Sequence, residues 1–167
     1  GIYFTDPSYQ GTTQAKEGIY RVAGTPPVVT TIGEYDKGKY PNGIALSADG
    51  NALFVSLTGE SQLLKIDLNA DGTPNGAPKA FAVTGPAPDG VATDTAGNVY
   101  VATGLGVEAY SSAGTKWGAV ALPAGQIPTS LAFGDPQSKT LFVGSTLARG
   151  VSKPAIYALP MRIGGVP

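Results

Sequence analysis

Residues 41–56, PNGIALSADGNALFVS, read as two short β-strands joined by a tight turn. The first strand contains the apolar run IAL, and the second contains Leu53, Phe54 and Val55, which favour β-structure. Between them lies ADGN, whose Gly and Asn tolerate the positive φ angles of hairpin turns. At the entrance, Asn42 stands between a proline and a glycine. The stretch therefore predicts a β-hairpin with an uncharged oxygen ligand where its first strand begins.

The same pattern occurs twice more, as PDGVATDTAGNVYVAT at residues 88–103 and PTSLAFGDPQSKTLFVGS at residues 128–145. Each copy has a proline, an apolar run, a turn and a second strand with an aromatic residue. The residues after the prolines are Asn42, Asp89 and Thr129, which are 47 and 40 residues apart. Repeats of about 40–50 residues made of four short strands are typical of β-propeller blades. Chance similarity of glycine-rich hairpins is the alternative, and the recurrence of all four features in order favours the propeller.

The rest of the chain extends this pattern to an all-β fold of fourteen strands without a helix, because Gly and Pro interrupt every helical window. We expect a single β-propeller domain of antiparallel blades at about residues 1–40, 41–87, 88–127 and 128–167, with three, four, four and three strands. The first blade then lacks its innermost strand and the last lacks its outermost strand. This predicts about three and a half four-stranded blades of a larger ring, N-terminally incomplete.

Composition excludes several classes of function. The 167 residues include 11 basic and 12 acidic ones, with a net charge of −1 and no basic stripe suited to nucleic acid. No apolar run approaches the ~20 residues of a membrane span, and no amphipathic segment predicts membrane binding. Because the chain has no Cys and no His, its chemistry must use carboxylates, amides, hydroxyls or a hard metal ion. The few lysines and the Gly/Thr-rich composition lean towards a secreted or periplasmic location.

Several segments resemble the SMP-30/gluconolactonase/LRE-like family: residues 41–56, 63–76 (LLKIDLNADGTPNG), 88–110 and 130–145, and the opening GIYFTDPSY. The resemblance covers essentially the whole chain, and the pair PNG and PDG is its most specific part. It implies a six-bladed β-propeller, of which this chain supplies roughly the last two thirds. It also implies a calcium- or zinc-dependent lactonase or, in related branches of the family, an organophosphate hydrolase.

The resemblance implies a metal site as well. In the family, the Asn of PNG and the Asp of PDG bind one ion in the central tunnel, and these correspond to Asn42 and Asp89. Oxygen ligands at the starts of neighbouring innermost strands suit Ca²⁺, with Zn²⁺ or Mg²⁺ as alternatives. Asp89 would also act as the base that positions a water molecule. The alternative is that both residues only cap their strands as Asx turns, and Thr129 is expected to line the tunnel.

The sequence departs from the family in two respects. The family's other ligands, a Glu near its N-terminus and an Asn one strand before GIYFTD, are not in these residues, although Ca²⁺ takes about 6–8 oxygens. An acidic residue found in many members after the second strand of the PNG blade is Leu57 here. The loop after the first strand helps to shape the family's substrate pocket, so Asp6 and Tyr9 are candidates for substrate binding. Arg149 and Lys153 are expected to lie in a solvated loop.

Two functions of different classes stay open. The first is a metal-dependent hydrolase that opens a small-molecule sugar lactone with water activated on a divalent ion; organophosphate ester hydrolysis would use the same site. The second is a non-catalytic propeller that serves as a binding or assembly scaffold. The pair Asn42 and Asp89 favours the enzyme, whereas Leu57 and the missing ligands favour the scaffold. Closing the ring would require the N-terminal part of the propeller or another chain.

Overall fold

The computed structural model describes residues 1–9, 13–147 and 153–166, and within them the chain is all-β. A single turn of 3-10 helix covers Thr58–Glu60. The strands are β1 (Ile2–Asp6), β2 (Glu17–Ala23), β3 (Val28–Tyr35), β4 (Pro41–Leu46), β5 (Ala52–Leu57), β6 (Gln62–Asp67), β7 (Lys79–Val83), β8 (Val91–Thr93), β9 (Val99–Thr103), β10 (Gly106–Tyr110), β11 (Lys116–Val120), β12 (Gln126–Gly134), β13 (Thr140–Leu147) and β14 (Ile156–Pro160). The described residues contain no helix with the length and apolar character needed to cross a membrane.

The fourteen strands form four antiparallel sheets in which each strand pairs with the next one along the chain. The sheets contain β1–β3, β4–β7, β8–β11 and β12–β14. This confirms the predicted all-β fold and its division into sheets of three, four, four and three strands. The first strands of the last three sheets lie side by side, because β4 contacts β8 and β8 contacts β12. One edge of each of these sheets therefore faces a common region, as in propeller blades.

The hydrophobic core is divided among the three interfaces between neighbouring sheets. Strand β5 is buried at every position, because its sheet has a neighbour on each face. Leu53 and Val55 pack towards the first sheet, whereas Phe54 packs towards the third. Since successive side chains point to opposite faces of a sheet, a strand covered on both faces needs a continuous apolar run. In β1, by contrast, exposed and half-buried residues alternate.

Strand β1 makes the same hydrogen bond to the following sheet as β5 makes. The Thr5 hydroxyl of β1 donates to the backbone oxygen of Asn42, at 2.6 Å. The Ser56 hydroxyl of β5 donates in the same way to the backbone oxygen of Asp89, also at 2.6 Å. In both cases a hydroxyl joins one sheet to the entrance of the next. β1 is therefore the counterpart of a second strand, as the alignment of the repeats predicts.

Candidate functional site

The site lies where β4 and β8 begin. Asn42 is the second residue of β4, within an irregularity of the pairing with β5 that separates Pro41 from Ile44. Asp89 precedes β8, and its backbone N–H donates to the oxygen of Ala102 at 2.8 Å. The backbone oxygens of Asn42 and Asp89 accept hydroxyl hydrogen bonds from the preceding sheets, so each entrance is fixed to its neighbour. Both side chains are thereby brought to one region.

The glycines of the two motifs allow the innermost strands to approach each other closely. A Cβ atom on Gly43 would lie 2.2 Å from the backbone oxygen of Asp89, and one on Gly90 would lie 2.7 Å from that of Thr129. The Gly90 N–H also donates to the Thr129 oxygen at 2.8 Å. Neither position has room for a side chain, since real Cβ contacts are longer than 3.0 Å. The glycine of PNG and of PDG is therefore a packing requirement between blades.

Four side chains meet at this entrance, and we call Tyr9, Asn42, Thr58 and Asp89 the Asn42 cluster. The Asn42 Nδ2 donates to the Tyr9 hydroxyl at 2.8 Å and to Thr58 Oγ1 at 3.2 Å. The Tyr9 hydroxyl donates to Thr58 Oγ1 at 2.8 Å. Thr58 in turn donates to the backbone oxygen of Pro88 at 2.6 Å. These contacts connect the loop after β1, the end of β5 and the approach to β8.

The hydrogen bond from Thr58 to Pro88 favours one orientation of the Asn42 amide. The Pro88 oxygen can only accept, so the Thr58 hydroxyl must donate to it and accept from Tyr9 and Asn42. A reversed amide would place its oxygen against Thr58 Oγ1, whose hydrogen is already donated to Pro88, and would draw the Tyr9 hydrogen away from Thr58. The Nδ2 group therefore faces Tyr9 and Thr58, and Oδ1 of Asn42 accepts no hydrogen bond from the described residues. That oxygen is available to an ion, a water molecule or a substrate.

Asp89 is half-buried, and burial raises the pKa of its carboxyl above the ordinary value. The Asn42 amide lies close enough to lower this pKa in part, and it is the one described group that does so. Burial also raises the pKa of the Tyr9 hydroxyl, with the hydrogen bond to Thr58 acting against it and the charge of Asp89 acting with it. A carboxylate of raised pKa with few donors can bind a cation or accept a proton from water.

Glu17, which the sequence does not reveal as part of the site, anchors the loops around it. It is fully buried at the start of β2. Its carboxylate accepts hydrogen bonds from the backbone N–H groups of Ser8 (3.2 Å), Gly38 (3.3 Å) and Tyr40 (2.7 Å), and from the Ser8 hydroxyl. Burial acts to raise the pKa of Glu17, but these donors outweigh it and the pKa is lowered. The one sequence signal is an acidic residue at the first position of a strand, EGIYRV.

The other candidates fall outside the Asn42 cluster. Asp6 is exposed, and its backbone oxygen accepts a hydrogen bond from Gln14 at 3.4 Å. Among the described residues, no hydrogen bond joins the Asp6 side chain to Asn42. Thr129 lies in β12 and contributes its backbone oxygen to Gly90. The remaining positions are Leu57, which is buried and pairs with Pro41, Lys153, which is exposed, and Arg149, which lies outside the described residues.

The side chains of Asn42 and Asp89 fit a hard cation in the chemistry of their donors, because amide and carboxylate oxygens are the ligands that Ca²⁺ prefers. The Asn42 oxygen, which accepts no hydrogen bond from the described residues, lies close to the Asp89 carboxylate, which has few donors among them. The described residues contain no group of three or more acidic side chains that could hold a metal ion. Asn42 and Asp89 would therefore supply two protein ligands to such an ion, and further oxygens would have to come from water or from other protein segments.

Comparison with known proteins gives a family match over most of the chain. Residues 1–147 match the profile described as SMP-30/gluconolactonase/LRE-like region. The lactonase drp35 of Staphylococcus saprophyticus is 35% identical over 130 residues, which are 74% of this chain and 39% of that protein. The lactonase drp35 of Staphylococcus haemolyticus is 37% identical over 107 residues, which are 61% of this chain and 32% of that protein. The chain thus spans well under half the length of these relatives.

Solved structures show the same fold. A gluconolactonase from Xanthomonas campestris superposes with a TM-score of 0.76 at 26% identity, over 95% of this chain and 52% of that chain. A calcium-binding protein, regucalcin, from Agrobacterium tumefaciens superposes with a TM-score of 0.79 at 25% identity, over 99% of this chain and 62% of that chain. The blades of this chain therefore match a part of these larger structures.

Proposed function

The chain belongs to the SMP-30/gluconolactonase/LRE-like family, and on that premise we propose that it is part of a metal-dependent hydrolase that opens sugar lactones. Asn42 and Asp89 would hold the divalent ion, with Ca²⁺ favoured and Zn²⁺ or Mg²⁺ as alternatives. The name of the regucalcin neighbour, a calcium-binding protein, supports the choice of Ca²⁺. The names of the drp35 relatives and of the gluconolactonase neighbour support a lactone as the substrate.

One observation carries this proposal. The Asn42 amide donates to Tyr9 and Thr58, which leaves its oxygen without a partner among the described residues, and the under-partnered carboxyl of Asp89 lies beside it. If both residues were only Asx caps, their side-chain oxygens would accept hydrogen bonds from nearby backbone N–H groups. Instead, the hydrogen bonds described for the Asn42 side chain are donated by its amide nitrogen.

When bound, a divalent ion supplies polarisation of the lactone carbonyl and acidification of a water molecule. Asp89 accepts a proton from the attacking water, and its raised pKa makes it a stronger base than an ordinary Asp. The water oxygen bonds to the carbonyl carbon, the ring C–O bond breaks, and Asp89 returns its proton to the ring oxygen to give the open hydroxy acid. Tyr9, held at Thr58, lies beside Asn42 where it can contact the substrate.

The remaining ligands and walls of the site would come from other protein segments, together with water. Ca²⁺ takes about 6–8 oxygens, and Asn42 and Asp89 supply only part of that number. We infer that the N-terminal part of the same propeller, or another chain, completes the ring and the site. The share of the relatives that the chain covers, 39% for the lactonase of Staphylococcus saprophyticus, supports this inference.

Calorimetric titration of CaCl₂ into the chelator-treated protein tests the proposal. We expect binding with a dissociation constant on the order of 10⁻⁴–10⁻³ M, as for a site with few protein ligands. Asp89→Asn should abolish the binding heat. Asp49→Asn, which makes the same charge change in the exposed turn of the preceding hairpin, should leave it unaltered. Calcium-dependent opening of gluconolactone above the uncatalysed rate, lost in Asp89→Asn, would extend the result from binding to catalysis.

A non-catalytic propeller scaffold is the second candidate, and the lack of an acidic cluster among the described residues favours it. It predicts no calcium heat and no lactone opening, or equal behaviour of the Asp89→Asn and Asp49→Asn variants. Hydrolysis of an aryl phosphotriester in place of the lactone would instead indicate organophosphate chemistry at the same residues. The titration therefore separates the scaffold from the enzyme, and the choice of substrate separates the two hydrolases.

A further inference from the structure

We propose that Glu17 is the positioning residue of the Asn42 cluster, because its carboxylate joins the loop that carries Tyr9 to the loop that leads into Asn42. The role in catalysis rests on the proposed function, whereas the role in orienting Asn42 rests on the geometry alone. Glu17 does not touch Asn42 and acts through Ser8 and Tyr40.

Glu17 is an unusual buried carboxylate. None of the ion pairs among the described residues includes it. Burying a carboxylate without a cation is costly unless its oxygens are well hydrogen-bonded. Here the donors come from two separate loops: Ser8 on one side, and Gly38 and Tyr40 on the other. Their convergence on one carboxylate ties the loop after β1 to the approach of β4.

Both anchored loops lead directly into the Asn42 cluster. Ser8 precedes Tyr9, and the ring of Tyr9 stacks on that of Tyr40 with centroids 4.8 Å apart and planes at 20°. The Tyr40 backbone oxygen accepts a hydrogen bond from the N–H of Thr58 at 3.0 Å. Tyr9 is thus held through its neighbour Ser8, across its ring face and at its hydroxyl. Loss of the Glu17 carboxylate would loosen the hold on Ser8 and the stacking of Tyr9 on Tyr40. The Tyr9 hydroxyl, which accepts a hydrogen bond from the Asn42 amide, would then be less well placed.

Glu108 provides a matched control within the same chain. It is as fully buried as Glu17 and also lies on a strand of a blade. Its carboxylate accepts hydrogen bonds from the Gly85 N–H at 2.9 Å and the Tyr110 hydroxyl at 2.6 Å, and it pairs with Lys116. None of these partners belongs to the Asn42 cluster. A change at Glu108 therefore measures the general cost of altering a buried carboxylate.

The test is the NMR signal of the Asn42 side-chain amide in ¹⁵N-labelled protein without calcium, assigned by its loss in Asn42→Asp. In the unaltered chain we expect two separate proton signals with slow solvent exchange. In Glu17→Gln their exchange should accelerate about tenfold or more, as expected when one or two hydrogen bonds are lost. In Glu108→Gln the signals should keep their positions and rates. Ser8→Ala, which removes only the hydroxyl donor, should produce a smaller change in the same direction as Glu17→Gln.

Unchanged Asn42 signals in folded Glu17→Gln, or equal changes in Glu108→Gln, would overturn the positioning role. If Glu17→Gln does not fold, Ser8→Ala decides by the same signals. A calcium titration of the same variants then links position to function: Glu17→Gln should weaken binding about three- to tenfold, and Glu108→Gln should not. Absence of calcium binding in the unaltered protein would contradict the proposed function, while the amide signals would still test Glu17.

Discussion

Each repeated hairpin has an Asp at its turn end, and the hairpin of residues 88–103 has a second Asp, Asp89, at its entrance. At the turn ends, Asp49, Asp94 and Asp135 each accept at least three hydrogen bonds from their own turns and neighbouring residues. At the entrance end, Asp89 has only the nearby Asn42 amide, among the described groups, to favour its charged form. The turn carboxylates are therefore held by hydrogen bonds within the fold, whereas the Asp89 carboxylate has few such bonds.

The cause lies in the backbone of each end. A tight turn leaves backbone N–H groups unpaired, and a carboxylate next to them is the natural acceptor, as at Asp49 and Asp135. Hydrogen bonds from the side-chain hydroxyls of Ser47 and Thr140, together with these backbone N–H groups, lower the pKa of Asp49 and Asp135 respectively. At the entrance, the backbone N–H of Asp89 is paired with Ala102, and its oxygen accepts from Ser56. The Asp89 side chain therefore has few donors to reach.

We expect the two ends of the hairpin to differ most in the free energy of unfolding that is lost when a glycine at each end is replaced by alanine. Gly43→Ala places a Cβ atom 2.2 Å from the Asp89 backbone oxygen, which cannot move without separating β4 from β8. We expect the free energy of unfolding to fall by about 3 kcal/mol. Gly50→Ala at the turn meets no atom within 4 Å and is opposed only by its φ of +72°, so we expect a loss of about 1 kcal/mol.

Urea unfolding followed by circular dichroism measures both values, and Gly50→Ala serves as the control for the loss of a glycine in the same hairpin. Equal losses in the two variants would contradict the close packing of the entrance strands. Gly90→Ala would place its added Cβ atom 2.7 Å from the Thr129 backbone oxygen. If Gly43→Ala lowers the free energy of unfolding and Gly90→Ala does not, then the close approach of innermost strands is limited to β4 and β8.

The fold could be predicted from the sequence because its signals are local and repeated. Turn residues and apolar runs within each hairpin predict the strands, and the recurrence of the hairpin predicts the sheets. The alignment of prolines also places Asn42 and Asp89 at equivalent entrances, which the structure brings together. That they bind a metal ion remains a prediction.

The rest of the cluster depends on contacts between segments distant in the sequence. Thr58 reaches the oxygen of Pro88, 30 residues further along the chain. Glu17 binds the N–H of Tyr40, 23 residues away, and no local pattern indicates that contact. The glycine of PNG stands in a predicted ligand motif, but it is needed because the backbone of Asp89 lies too close for a side chain. Such roles become visible only when the blades are packed against one another.

We expect a smaller difference in the free energy of unfolding when a turn carboxylate, that of Asp94, and the entrance carboxylate, that of Asp89, are removed. Asp94 is fully buried and accepts hydrogen bonds from Ala96, Asn98 and the Tyr100 hydroxyl. Asp94→Ala leaves these donors without an acceptor, and we expect a loss of about 2 kcal/mol in the free energy of unfolding. Asp89→Ala removes a carboxylate with few donors and should change it by less than about 0.5 kcal/mol. Comparable losses in urea unfolding would show that Asp89 supports the fold as Asp94 does.

NMR titration of the Asp carboxyl carbons shows whether the Asp89 carboxylate has fewer hydrogen-bond donors than the carboxylates of the turns. We expect Asp89 to titrate above the ordinary pKa of an aspartate, 3.8, and Asp49 and Asp135 to titrate below it. The signs for stability are opposite. Asp49 and Asp135 stabilise the fold above the pKa of an unfolded aspartate, and this stabilisation is lost as the pH falls through their lowered pKa values. Asp89 stabilises the fold when it is protonated, and this stabilisation is lost as the pH rises through its raised pKa. An Asp89 pKa at or below those of Asp49 and Asp135 would contradict the account.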